Sequence, residues 1–190
     1  MTPDVTTNTT PNESVSSWTH VEDFLRDRGA DRIPHPGGTL LAHLSRVARL
    51  LGRWGANRDV QAAGLCHAAY GTDGFDESLL RTTDRATLAG LIGERAEALV
   101  HLYGSCDRGA LYPQLGRVRP VVFRDRFTGG EHTPSDADLR AFVEITAANE
   151  LHVLAGARAR RADRRVLTEK ISRRKSRESR PRPRPPTPGR

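Results

Sequence analysis

Apolar residues recur at helical spacing through most of the middle of the chain, and that period is the first guide to its structure. Trp18, Val21, Phe24 and Leu25 predict a first helix, which Gly29 stops. Pro34-His35-Pro36-Gly37-Gly38 reads as a turn. Gly38 or Thr39 then opens a strong helix to Trp54, with Leu40, Leu44, Val47, Leu51 and Trp54 on its apolar face and Leu41 and Leu50 beside them. Gly55 closes it. The spacing predicts a third helix from Asn57 or Arg58 to Ala69, with Val60, Ala63, Gly64 and His67 on one side. A loop, Tyr70-Gly71-Thr72-Asp73-Gly74, follows. A short helix is expected over 76–80, and Asp84 caps another to about Gly90. Ile92, Ala96, Leu99, Val100 and Tyr103 define a further helix ending near Asp107. The only β-like run, VRPVVFRDRFTGG over 118–130, predicts one small hairpin. Ser135 caps a final helix whose apolar positions are Leu139, Phe142, Val143, Ile145, Ala147 and Leu151. The pattern predicts an all-α helical bundle.

Composition divides the 190 residues into three parts. Residues 1–17 are mostly Thr, Ser, Asn and Pro and are too polar to bury a core, so they read as a disordered tail. Residues 18–156 form the helical domain. Residues 157–190 form a basic tail that ends in PRPRPPTPGR, a Pro- and Arg-rich extended stretch. The net charge of +7 would suggest nucleic acid, but the basicity lies in the tail. Residues 157–190 hold 14 Arg and Lys against 3 acids, whereas the other 156 residues hold 16 bases against 20 acids. Any nucleic-acid contact is therefore expected only through the tail, as salt-dependent attraction without sequence preference. Two cysteines, Cys66 and Cys106, exclude a disulfide scaffold and a CxxC zinc site. No run is long and apolar enough for a membrane span. The first residues have neither a basic start nor an apolar stretch, so no secretory signal is expected and the expected compartment is the cytoplasm.

Three polar residues fall on these apolar faces. His43 lies among Leu40, Leu44 and Val47. His67 ends the stripe of the third helix, and Asp107 extends the stripe from Ile92 to Tyr103. A lone histidine on an apolar face is ordinarily a hydrogen-bonded core residue, and an Asp at a helix end is ordinarily a cap. Two imidazoles and a carboxylate brought together by three helices have another solution, a shared divalent metal, because an isolated buried charge is very costly.

The segment HPGGTLLAHLSRVARLLGRWGANRDVQAAGLCHAAYGTDGF, followed by LIGERAEALVHLYGSCDR, resembles the HD-domain superfamily. Within it, HxxYGT and FVEITAANELH are similar to a bacterial HD-like family of unknown function. The resemblance implies a helical bundle around a divalent metal. His43 matches the first histidine of the motif, His67 the histidine of the His-Asp doublet, and Asp107 the closing aspartate. Ala68 stands where the doublet has Asp, so the implied site is mononuclear, with two histidines and one carboxylate holding Fe, Mn or Zn. His35 is a candidate fourth ligand or a turn residue between two prolines.

HD proteins are mostly phosphohydrolases, so the resemblance implies a metal-dependent hydrolase acting on a small anionic, phosphate-type substrate. An iron oxygenase or lyase of small-molecule metabolism and a non-catalytic HD-like binding scaffold with a basic tail are the alternatives. Tyr70 and Thr72, next to His67, are candidates to hydrogen-bond the substrate or the metal's water, or simply shape a turn. Arg46, one turn after His43, is placed to reach a substrate phosphate or carboxylate, or to stand in solvent. His101 and His132 read as surface or structural residues. Glu94 and Glu97 read as a solvated helix face.

Overall fold

A computed structural model describes residues 18–156. The two tails lie outside the described residues. The domain is all-α, with two minimal antiparallel strand pairs. Helix α1 is Thr19–Asp27, α2 Leu40–Arg53, α3 Arg58–Cys66, α4 Arg85–Ile92, α5 Glu94–Ser105 and α6 Arg108–Leu111. Helix α7 runs from 136 to 156, the last described residue. Among the described residues no helix is long and apolar enough to cross a membrane.

Side-chain oxygens set several helix starts, each accepting from one of the first amides left without a helical partner. Thr39 Oγ1 accepts from Ala42 N at 3.3 Å, Asn57 Oδ1 from Val60 N at 3.0 Å, and Ser135 Oγ from Asp138 N at 3.1 Å. Helix α2 packs on α3, α3 on α5, and α1 on α2. Leu44, Val47, Leu51, Ala63, Leu65, Val100 and Tyr103 fill the space between them. Gly64 lets α2 and α3 approach closely, since a Cβ there would stand 2.2 Å from Leu51 Cδ1. Helix α7 covers the open side: Phe142 packs on Tyr103 and Phe123, and Asp138 pairs with Arg95 of α5.

The structure departs from the expected pattern in several places. The turn at 34–38 is a two-residue strand pair, β1 (Pro34–His35) with β2 (Gly38–Thr39), in the register Pro34 to Thr39 and His35 to Gly38. Gly37 and Gly38, at φ +90° and +139°, turn the chain between them. Helix α3 stops at Cys66 rather than Ala69, because residues 66–71 change to three-residue turn bonds, Ala69 N to Cys66 O and Gly71 N to Ala68 O. Residues 76–80 form no helix, since the amides of Leu79 and Leu80 both donate to Ala69 O. Ile92 ends α4, and Gly93 at φ +91° separates it from α5. The hairpin is reduced to β3 (Phe123–Arg124) with β4 (Glu131–His132). On α7, Val143 and Leu151 are exposed, and the buried face is Ala141, Phe142, Ile145, Ala148 and Asn149.

Candidate functional site

Four histidines gather where α2, the α3 terminus, β1 and α7 meet. His43 projects inward from α2 and His67 caps the C-terminus of α3; they are 1% and 3% exposed. The β1–β2 turn lays the ring of His35 against His43, with centroids 4.0 Å apart. Helix α7 brings His152, whose Nδ1 lies 2.6 Å from His43 Nδ1. On its other side, His43 Nε2 lies 3.4 Å from His67 Nε2. The Nδ1 of His67 is 2.8 Å from Gly64 O, so that nitrogen carries the proton and Nε2 keeps a lone pair. The buried Asn149 amide, one turn before His152, is within hydrogen-bond reach of both His43 and His67. Tyr103 closes the floor against His67, and Phe75 lies edge-on to His35.

Three of these imidazoles, His43, His67 and His152, are held below the usual histidine range. Burial lowers His43 far below the usual histidine range, and the surrounding imidazoles lower it further. Burial also lowers His67 to about 4, despite the opposing hydrogen bond it donates to Gly64 O, with Arg108 pushing the same way as burial. His152 is lowered by burial and then by Arg46. Among the described residues, the charged groups that act on these rings are guanidinia, Arg108 on His67 and Arg46 on His152. Neutral imidazole is the form that binds metals and accepts protons.

His35, His43 and His67 are therefore brought together, whereas Asp107 is engaged elsewhere. Helix α5 ends at Ser105, because Cys106 turns to extended backbone and bridges Asp125. Asp107 then caps α6, accepting from Ala110 N at 2.9 Å, and its other oxygen faces Arg124 at 3.9 Å. Its place on the α5 stripe disappears with that break in the helix. Asp73, in the loop after Tyr70, accepts from Arg108 N at 2.9 Å. Among the described residues, no group of three or more His, Cys, Asp or Glu is arranged so that it could hold a metal ion.

The residues expected around the substrate divide in the same way. Tyr70 is buried, and its hydroxyl donates to Glu97 Oε1 at 2.9 Å. Arg85 binds both oxygens of Glu97 at 2.7 Å. Glu97 is therefore a buried acceptor, not a solvated face; it lies one turn before His101 on the side of α5 that meets Tyr70. Thr72 is also buried and pairs through its backbone with Phe75. Arg46 is exposed at the rim, donating to Gly37 O at 3.0 Å and lying 3.2 Å from His152 Nε2. The half-buried His101 sits between the rings of Tyr70 and Phe127, and the exposed His132 lies on Phe123.

An open cleft of about 360 Å³ lies beside the cluster, lined by Arg46, Arg49, Arg53 and Leu50 of α2 and Leu151 and His152 of α7. Helix α2 carries these three arginines and no acid.

Sequence reasoning missed Asn149 and His152. Phe142, Ile145, Asn149 and His152 follow one another at spacings of three and four, so the buried stripe of α7 continues as polar residues. That continuation was the available signal.

Residues 24–108 match the model of a domain of unknown function, DUF6817. The chain is similar to that family over less than half of its length. The matched span contains His35, His43 and His67 and ends before α7, so Asn149 and His152 lie outside it. No curated protein and no solved structure matches the chain.

Proposed function

We propose that this protein is a metal-dependent HD-like enzyme, a hydrolase acting on a small anionic, phosphate-type substrate. The observation that carries this reading is the His43–His67 pair. Two ligands about 2.0–2.1 Å from a zinc-like ion at a tetrahedral angle are about 3.4 Å apart. The two Nε2 atoms have that separation. His67 also has the support usual for a metal-bound imidazole, its other nitrogen being fixed on a backbone carbonyl. His43 and His67 would hold the ion, with His35 and Asn149 beside them. A bound divalent ion with open positions lowers the pKa of its water toward neutrality and polarises a phosphoryl oxygen.

The chain's own residues supply binding and exclusion. Tyr103, Phe75 and the α2–α3 core keep water from the inner side of the histidines. The acid-free row of Arg46, Arg49 and Arg53 along the cleft supports an anionic substrate, because guanidinium groups bind phosphate and carboxylate oxygens in pairs.

A second reading is a non-catalytic HD-like binding scaffold. The lack of a ready three-residue cluster among the described residues, with Asp107 engaged as a cap, favours it.

Metal content of the untagged full chain, measured by mass spectrometry beside His67→Ala, decides between them. About one equivalent of metal, lost in the variant, is the expected result. No metal after reconstitution with Fe(II), Mn(II) and Zn(II) leaves the scaffold.

A further inference from the structure

We propose that the outer ridge of α2, with Trp54 at its end and the basic tail beside it, is a docking surface for single-stranded nucleic acid. This surface needs neither a metal nor the histidines, and it shares with the proposed hydrolase only three arginines.

Arg46, Arg49 and Arg53 follow one another at spacings of three and four on one face of α2. At 1.5 Å per residue they form a ladder along about 10 Å of the helix axis. Their charge is not neutralised by neighbours. Among the described residues, ion pairs engage Arg26, Arg85, Arg95, Arg119 and Arg124, and none of these three. Arg46 donates to Gly37 O at 3.0 Å and Arg49 to Ser45 O at 3.1 Å, and both acceptors are uncharged. No acid stands among the described residues that line the cleft on the α7 side. On the α1 side, the groove that Arg49 and Arg53 also edge has one acid among its described lining residues, Glu22, whose Oε1 accepts from Ser45 Oγ at 2.6 Å.

A second basic element starts at the same place. Ala155 lines the cleft, and Arg158 follows it by three residues, at most about 10 Å of chain. Residues 157–190 hold 14 Arg and Lys against 3 acids. A guest that meets both ridge and tail carries many negative charges in a line, which a polyphosphate backbone does and a small phosphate does not.

Trp54 selects among polyanions. It caps the C-terminus of α2, is 46% exposed, and lies one turn after Leu50, which lines the cleft. An exposed indole beside a row of guanidinia suits a chain whose phosphates meet arginine while an unpaired base stacks on the ring. The bases of a duplex are already stacked on one another. A lipid headgroup or an acidic peptide backbone offers no base.

The test uses the full chain in chelator and a fluorescent oligothymidylate, read by anisotropy over a series of salt concentrations. Wild type should bind the single strand more tightly than its duplex with oligodeoxyadenylate. Arg49→Gln with Arg53→Gln should reduce the slope of log affinity against log salt by about 0.7 per arginine. Trp54→Ala should weaken the single strand about fivefold or more and leave the duplex unchanged, whereas Trp54→Phe should stay near wild type. Trp54→Leu replaces the alanine variant if that variant does not fold. A duplex bound as tightly as the single strand, or a loss at Trp54→Ala shared by both, overturns the single-strand assignment. Binding unchanged in the arginine and Trp54 variants leaves the tail as the contact and overturns the ridge. Inorganic phosphate that displaces the oligonucleotide at fixed ionic strength gives the ridge to a small anion instead, and anionic phospholipid vesicles that bind more tightly give it to a membrane. With metal chelated throughout, failure here leaves the hydrolase reading untouched.

Discussion

Helix α5 and helix α2 each bury polar side chains against a neighbour, and they satisfy them differently. At α5, Glu97 receives two bonds from Arg85 and one from Tyr70, so a negative charge meets a positive one and a hydroxyl. At α2, His43 meets imidazoles and an amide, and among the described residues no carboxylate shifts it. The first arrangement is closed and has nothing left to offer a ligand. The second is satisfied only by the placement of protons, and protons can be rearranged. A buried network paired by opposite charge is held for stability, whereas a neutral chain of titratable rings keeps binding capacity.

The largest effect expected from this contrast is on folding. Glu97→Ala leaves Arg85 and the Tyr70 hydroxyl without their acceptor, and should cost about 3 kcal/mol in urea denaturation. The same variant should retain the metal complement of wild type. A loss of metal with little loss of stability would reverse the roles assigned to the two regions.

Acid should separate them next. The folded-state pKa of His67 is lowered to about 4, so the unfolded chain binds more protons below about pH 6.5. Stability is then fully present above that pH and is lost as pH falls from about 6.5 toward 4. The slope is about 1.4 kcal/mol per pH unit for one such ring, or about 2 kcal/mol by pH 5. His43 shifts in the same direction and steepens the fall. Urea midpoints in chelator between pH 7 and 5 check this, and His67→Leu should flatten the profile. An equally steep profile in that variant would remove His67 as a source of the acid sensitivity.

Asp107→Ala should have the smallest effect. Loss of an N-cap costs about 1 kcal/mol, and metal content should not change. Loss of metal in that variant would return the carboxylate to the site.

Much of this was legible in the sequence because helical period and burial coincide. The burial of His43 and His67 is legible because each interrupts a regular apolar stripe. Asp107 was misplaced because the stripe was extended through Cys106, where the backbone leaves the helix to bridge Asp125, a residue far along the chain. Glu97 was read as solvated because neither Tyr70 nor Arg85 lies on its helix. His152 was missed because its partner is His43, 109 residues away. Local pattern reports which face of a helix is buried. It does not report what another helix presents to that face.

Helix α2 bears Arg46, Arg49 and Arg53 one turn apart with no acid among them. Neighbouring like charges at this spacing repel, by about 0.2–0.5 kcal/mol per pair, and dissolved ions weaken that repulsion. For this helix, ionic strength acts as a stabiliser, the reverse of its effect on a helix laced with ion pairs. A bound polyanion would do the same work locally, so the strain of crowding three cations along one ridge is relieved wherever a multiply charged guest settles in the cleft.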